Sequence, residues 1–175
     1  MEQVLVHVYH GDGKGKTTAA IGLCVRAAGN GMRVIFSQFM KGQKTGELAI
    51  LKSLPEVKVL RSDRDFPFYR KMTDEDKLEI TKIHNEILKE ILEAVKKEEV
   101  ELVVLDEITY PYAWGLLQKE LFEELLSLAK GKVEVVMTGR NPDPCMLEAA
   151  DYITEVKCIR HPYEKGIGAR KGVEY

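Results

Sequence analysis

The chain has 175 residues, 45% of them apolar and 31% charged, with a formal net charge of −2. That length suits one domain that buries a core without disulfides or structural metal, in an ordinary soluble globular protein. So even a charge balance excludes the one-sided field by which nucleic acid or an acidic membrane surface is gripped, so partners must be sought in sites. Cys24, Cys145 and Cys158 are widely spaced and form no C-x-x-C pair, which fits reduced, mostly buried thiols. The amino terminus has no basic segment followed by an apolar stretch and cleavage site, and no apolar run approaches the roughly 20 residues needed to span a bilayer. The expected location is the cytoplasm.

In chain order, the apolar run Val4 to Tyr9 predicts a strand feeding the glycine-rich segment His10-Gly11-Asp12-Gly13-Lys14-Gly15-Lys16-Thr17-Thr18. A helix follows from about Lys16 to Ala28, stopped by Gly29-Asn30-Gly31, where residues tolerant of positive φ end helices. Arg33 to Phe39 reads as a second strand, Gly42 to Ser53 as a loop and short helix, and Val57 to Leu60 as a short third strand. Arg61 to Met72 is irregular, with four basic residues around Phe66-Pro67-Phe68-Tyr69. Thr73 is a plausible N-cap, followed by Asp74, Glu75 and Asp76 at the positive end of the helix dipole. The long helix it opens carries Ile80, Ile83, Ile87, Leu88, Ile91, Leu92 and Val95 on one stripe. Leu102 to Leu105 is a strand covered on both faces, ending in Asp106-Glu107. Leu116 to Lys130 predicts an amphipathic helix, Val133 to Met137 a buried strand ending in Thr138-Gly139-Arg140, and Met146 to Val156 a last helix and strand.

This alternation predicts an α/β fold over residues 1–175: one P-loop NTPase-like domain, with a mostly parallel sheet of about six strands and helices on both faces. Ligands of such sheets sit at the carboxyl ends of the strands, and three features should meet there. The glycine-rich segment, from Gly11 through Asp12, Gly13, Lys14, Gly15, Lys16 and Thr17 to Thr18, reads as a phosphate-binding loop that would bind ATP: backbone N–H groups turn toward an oxyanion, Lys16 adds a charge, and the Thr17 hydroxyl can ligate Mg²⁺. The usual pattern G-x-x-x-x-G-K-[ST] has its first glycine replaced by His10. Asp106 or Glu107 can hold Mg²⁺ directly or through water opposite Thr17. Arg140 is a candidate for a phosphate or another anionic group, against the alternative of a plain surface arginine. No N-K-x-D guanine-reading segment is present. A small-molecule kinase with Arg61 to Lys71 as a lid, and a nucleotide-sensing module, both stay open on these features.

The stretch Gly11-Asp12-Gly13-Lys14-Gly15-Lys16-Thr17-Thr18-Ala19-Ala20 resembles the loop of the P-loop type ATP:corrinoid adenosyltransferases, G-N-G-K-G-K-T-T-A-A, in which the first standard glycine is also missing. Further blocks are similar in order: Gln38-Phe39-Met40-Lys41-Gly42, Gly46-Glu47, Val103 to Tyr110, Thr138-Gly139-Arg140-Asn141, and the ending from His161-Pro162-Tyr163 to Tyr175.

The resemblance implies transfer of the 5'-deoxyadenosyl group of ATP to Co(I) of a corrinoid, with release of triphosphate, in adenosylcobalamin synthesis or salvage. It implies ATP, Mg²⁺ and a corrinoid as cofactor and substrates, and ATP seated in reversed orientation so that the ribose carbon is exposed. By the resemblance Lys16 meets the leaving triphosphate, Arg26 lies near the nucleotide, and Glu107 is the magnesium carboxylate. Asp65-Phe66-Pro67-Phe68 occupies the place of the family's G-F-T-W, whose aromatics press on the lower face of the corrin and ease reduction to Co(I). Phe66 and Phe68 are thus the expected catalytic aromatics, with Arg140 as a further corrinoid contact. A flavoprotein reductant and a homodimer are candidate partners. Relatives carry an amino-terminal helix over the corrinoid, whereas here the first strand starts almost at Met1, so the site is expected to be more open or covered by a second subunit.

Overall fold

A computed structural model describes residues 3–174. Six short apolar runs become strands: β1 (Val6–His10), β2 (Val34–Gln38), β3 (Val57–Arg61), β4 (Leu102–Asp106), β5 (Glu134–Gly139) and β6 (Tyr152–Glu155). They form one sheet in the order β3-β2-β4-β5-β1-β6, and every neighbouring pair is parallel. The expected mostly parallel sheet is therefore wholly parallel, and each strand needs a crossover to return to the same edge.

Those crossovers are α1 (Lys16–Gly29), α2 (Gly46–Leu51), α3 (Asp74–Lys96), α4 (Thr109–Ala113), α5 (Lys119–Ala129) and α6 (Pro144–Ala149). Alternation along the strands sorts them onto two faces. Val103 and Leu105 point into a core with the stripe of α3, Phe122 and Leu125 of α5 and Met146 of α6. Leu102 and Val104 point the other way, against Ala20, Cys24, Ala27 and Ala28 of α1. Small residues on that side of α1 let its backbone come close to the sheet. Burying a residue such as Phe36 or Leu105, both fully covered, contributes about 1.5–3 kcal/mol.

Helix ends follow the local signals. Thr73 Oγ1 accepts from the Asp76 amide, and the Asp76 carboxylate accepts from the Thr73 amide at 3.1 Å, a reciprocal cap that stabilises α3 by about 1 kcal/mol. Two local expectations are corrected. The helix expected from Leu116 begins at Lys119, because Leu116 and Leu117 are buried in the loop before it. The short helix α4, with Pro111 inside it, carries too little periodicity to be read from sequence. Arg61, expected in the irregular segment, closes β3, and from Ser62 to Met72 the regular element is a single 3₁₀ turn, Tyr69–Lys71.

Among the described residues no helix is long and apolar enough to cross a membrane. Cys24, Cys145 and Cys158 are free. Burial pushes the Cys24 thiol up to about 12, which leaves it a packing residue and not a nucleophile.

Candidate functional site

The parallel sheet brings the ends of β1, β2, β4 and β5 to one edge, where the three features expected from sequence meet. Lys16 opens α1, and its ammonium donates to the Gly13 carbonyl at 2.7 Å, across the loop. Burial pushes that ammonium below the usual lysine range. Gly13 lies where the chain beyond β6 crosses the loop: its amide donates to the Val156 carbonyl at 2.8 Å, and a Cβ here would come within 2.8 Å of the Val156 and Lys157 backbone. This glycine is therefore demanded by a backbone crossing, and its amide, expected to turn toward an oxyanion, is instead spent on that crossing. The same crossing holds Asp12, whose carboxylate accepts from the Cys158 amide at 3.0 Å; that bond holds its carboxyl below the usual range. Lys14 and Thr18 are exposed, and Lys14 pairs with Glu174 at 3.6 Å.

Asp106, at the end of β4, has no exposed surface. Oδ1 accepts from Thr17 Oγ1 at 2.8 Å and from Thr138 Oγ1 at 2.7 Å. Oδ2 accepts from Gln38 Nε2 at 3.2 Å and Lys41 Nζ at 3.1 Å. Four donors from four segments thus converge on a carboxylate that only accepts. Asp106 ties the loop to β2 and β5 and aims the Thr17 hydroxyl. Glu107, next along the chain, is half-buried with φ 64°, and its amide donates to Thr138 Oγ1 at 2.9 Å. A left-handed non-glycine residue held in this way marks a backbone that the surroundings over-determine. Burial pushes the Glu107 carboxyl above the usual range, with Lys41 opposing.

The oxygens of Thr17, Asp106 and Glu107 fit a hard divalent cation, which takes one or two carboxylates and leaves the rest to water and phosphate. They already hold a cation: Lys41 Nζ lies 3.1 Å from Asp106 and 3.6 Å from Glu107. Arg140 follows β5, is exposed, and donates to the Asp12 carbonyl at 3.3 Å, so it belongs to the loop side of the site. Arg26 does not join it. It is exposed in the last turn of α1, about 15 Å along the helix from Lys16.

Gln38, Lys41 and Thr138 lie in blocks that carry the family resemblance but were given no role from sequence, although each sits at or just past a strand end. His84 gave none. It is buried on α3; Nε2 accepts from the Met40 amide at 3.3 Å and Nδ1 faces the Leu116 carbonyl at 2.8 Å. Neutral imidazole satisfies both contacts, with Nδ1–H donating. His84 thereby holds Met40 at φ 59°, immediately before Lys41. Burial lowers the His84 pKa from 6.5 to about 4, so the unfolded chain takes up the proton first. Its contribution of about 3 kcal/mol is complete above the unfolded value and fades as pH falls toward the folded one. Urea denaturation of the wild type and His84→Gln between pH 7 and pH 4 should show a shallower loss in the variant; equal slopes would refute this.

The two phenylalanines differ. Phe66 is half-buried against Met40, Met72, Ile80 and Leu116, with the Arg64 guanidinium 4.7 Å above its ring. Phe68 is 87% exposed, so it plugs no core. The backbone of Arg64 and Asp65 packs so closely on Gly42 that no Cβ fits there, which joins the phenylalanine segment to the Lys41 loop. Beside it Tyr69 stacks on Trp114 at 4.5 Å, and Tyr110 lies 5.1 Å from Trp114. Two of the three arginines in the segment expected to form a kinase-like lid are engaged: Arg61 donates to Gln38 Oε1 at 2.9 Å, and Arg64 pairs with Asp76 and Glu79 on α3, while Arg70 is exposed.

An all-parallel sheet with a glycine-rich loop entering α1, and an acidic strand end bonded to the loop threonine, defines a P-loop α/β protein. The cytoplasmic domain of EssC shares the fold, with a TM-score of 0.52 at 17% identity over 97% of this chain and 36% of that one. The profile of the family described as ATP:corrinoid adenosyltransferase BtuR/CobO/CobP matches residues 2–175, and the chain belongs to that family. It is similar to a corrinoid adenosyltransferase of Pseudomonas aeruginosa, 34% identical over 99% of this chain and 85% of that protein. A corrinoid adenosyltransferase of Escherichia coli K12 is 30% identical over 99% of this chain and 87% of its own length. The chain is thus a transferase of corrinoid adenosylation.

Proposed function

We propose that the protein transfers the 5'-deoxyadenosyl group of ATP to Co(I) of a corrinoid, with residues 1–175 acting as one adenosyltransferase domain in the cytoplasm. The observation that carries this reading is the junction of Thr17, Asp106, Lys41 and Glu107 at the sheet edge, one residue after Lys16 of the loop, within a chain of this family. Co(I) of the substrate attacks the ribose C5' with its electron pair. The C5'–O bond breaks, and triphosphate leaves with the bonding pair. The loop amides other than that of Gly13, which is bonded to the Val156 carbonyl, together with Lys16 and Arg140, meet the charge that develops on the leaving group, a preorganised electrostatic role. Thr17 and Glu107 would hold Mg²⁺, which supplies further charge neutralisation to the triphosphate, while Asp106 orients Thr17.

Phe66 and Phe68 are proposed to face the corrin, Phe66 as the anchored ring and Phe68 as the exposed one. Removing the Phe66 ring should forfeit an apolar contact of about 1.5–3 kcal/mol, seen as roughly 10- to 100-fold slower adenosylation from Co(II) with ATP binding retained. Equal Co(II) reduction by Phe66→Ala and wild type would remove the phenylalanine from this role.

The deciding assay combines reduced corrinoid, ATP and Mg²⁺, with optical spectra of the corrinoid and phosphate analysis. Adenosylated corrinoid and inorganic triphosphate are expected in equal amounts. Persistence of Co(I), or formation of ADP with a phosphorylated acceptor, would overturn the reading.

A further inference from the structure

The Lys41 side chain is drawn to the oxygens on which the metal role is placed. Its ammonium lies 3.1 Å from Asp106 Oδ2 and 3.4 Å from Thr17 Oγ1, and 3.6 Å from Glu107 Oε1. Thr17 Oγ1 gives its proton to Asp106, so the lone pairs that would serve a metal face Lys41. The placement is built, not incidental: Met40 is held left-handed by His84 just before Lys41, and Gly42 just after it is pinned under Arg64 and Asp65.

We propose that Lys41 is the tethered counter-ion of the divalent-cation site. Its ammonium offsets one of the two charges of the Asp106–Glu107 pair and competes with the metal for the same three oxygens. A divalent cation placed there beside the ammonium meets direct like-charge repulsion, doubled by its two charges. Metal alone is therefore excluded, and metal arriving with a triphosphate is admitted, because phosphate oxygens offer the displaced ammonium a new partner. The Lys41 stem reaches in from the β2 loop with a third of its surface exposed, so the ammonium can leave without moving the strand. Glu47, in the first turn of α2, also attracts Lys41 electrostatically. The device makes the enzyme take its metal with the nucleotide and not ahead of it.

The inference rests on the proposed magnesium role of Thr17 and Glu107, but its test uses neither corrinoid nor turnover, so its failure and that of the adenosyl-transfer reading are distinguishable. Mn²⁺ binding without nucleotide, followed by the paramagnetic resonance signal of free Mn²⁺, is compared in the wild type, Lys41→Met and Lys41→Met with Glu107→Gln. Removing a tethered competitor should tighten binding by about tenfold or more in the single variant, and the second change should abolish the gain. Equal binding by wild type and Lys41→Met overturns the proposal, as does a gain that survives Glu107→Gln. Lys41→Gln, which keeps polar contacts without the charge, repeats the comparison should the methionine variant fold poorly. In the wild type, Mn²⁺ alone should leave the melting temperature unchanged, whereas Mn²⁺ with an unreactive ATP analogue raises it; a rise with Mn²⁺ alone sinks the idea.

Discussion

Lys16→Ala is expected to lower kcat for corrinoid adenosylation by about 10²–10³-fold, the cost of removing one preorganised group that meets developing charge. The fold should survive. Lys16 makes one hydrogen bond, to the Gly13 carbonyl at 2.7 Å, on a partly exposed loop, and its apolar stem lines no core cluster. The loss should therefore appear in turnover and ATP affinity, with an unchanged urea midpoint. Were the variant to turn over within a few-fold of wild type, the loop would not be holding the leaving group. Because a kinase would lose nucleotide use as well, this experiment tests the loop, and product analysis tests the reaction.

Asp106→Ala should fail in a different way, through stability. The carboxylate is fully buried and accepts from Thr17, Thr138, Gln38 and Lys41. Its removal strands three neutral donors and an ammonium that is two-thirds covered. Breaking a buried charge pair on one side costs about 3–5 kcal/mol, and for a domain of this size that is a fall of about 6–20 °C in melting temperature. Calorimetry or urea denaturation checks it, and a change below about 1 kcal/mol would mean that water replaces the carboxylate freely. Adding Lys41→Met should recover part of the loss, since the stranded cation goes with it. Glu107→Ala is the useful contrast, for the Glu107 carboxylate meets only Lys41, at 3.6 Å, and the residue is otherwise bonded through its amide, so its effect should fall on metal-dependent activity.

Legibility differed by element. The long helix α3 was readable because seven apolar residues repeat at helical spacing and Thr73 with Asp76 caps it locally. The strands β2, β4 and β5 were readable as continuous apolar runs, since a parallel strand is covered on both faces. The glycine-rich loop and the Asp106-Glu107 pair stood out because their residue types are costly anywhere but at a site. By contrast α4 has five residues and a proline, too short for a period. His84 looked like any histidine on an apolar helix face, and only packing shows that it bridges Met40 and Leu116.

Residue order alone determined the α/β class, the phosphate loop, the acidic strand end and, through ordered blocks along the chain, the family. These are properties of local pattern, in which each segment's chemistry is written in adjacent residues. The tertiary structure decided how the two carboxylates are engaged. Asp106 accepts from donors of β2, β5, α1 and the Lys41 loop, 32 to 89 positions away from it, while the Glu107 carboxylate faces Lys41 alone at 3.6 Å. It also decided that Lys41 belongs to the site and that Arg26 stands at the far end of α1. Strand order and register set those distances, because a parallel sheet brings remote chain positions to one edge, and no local pattern carries that information.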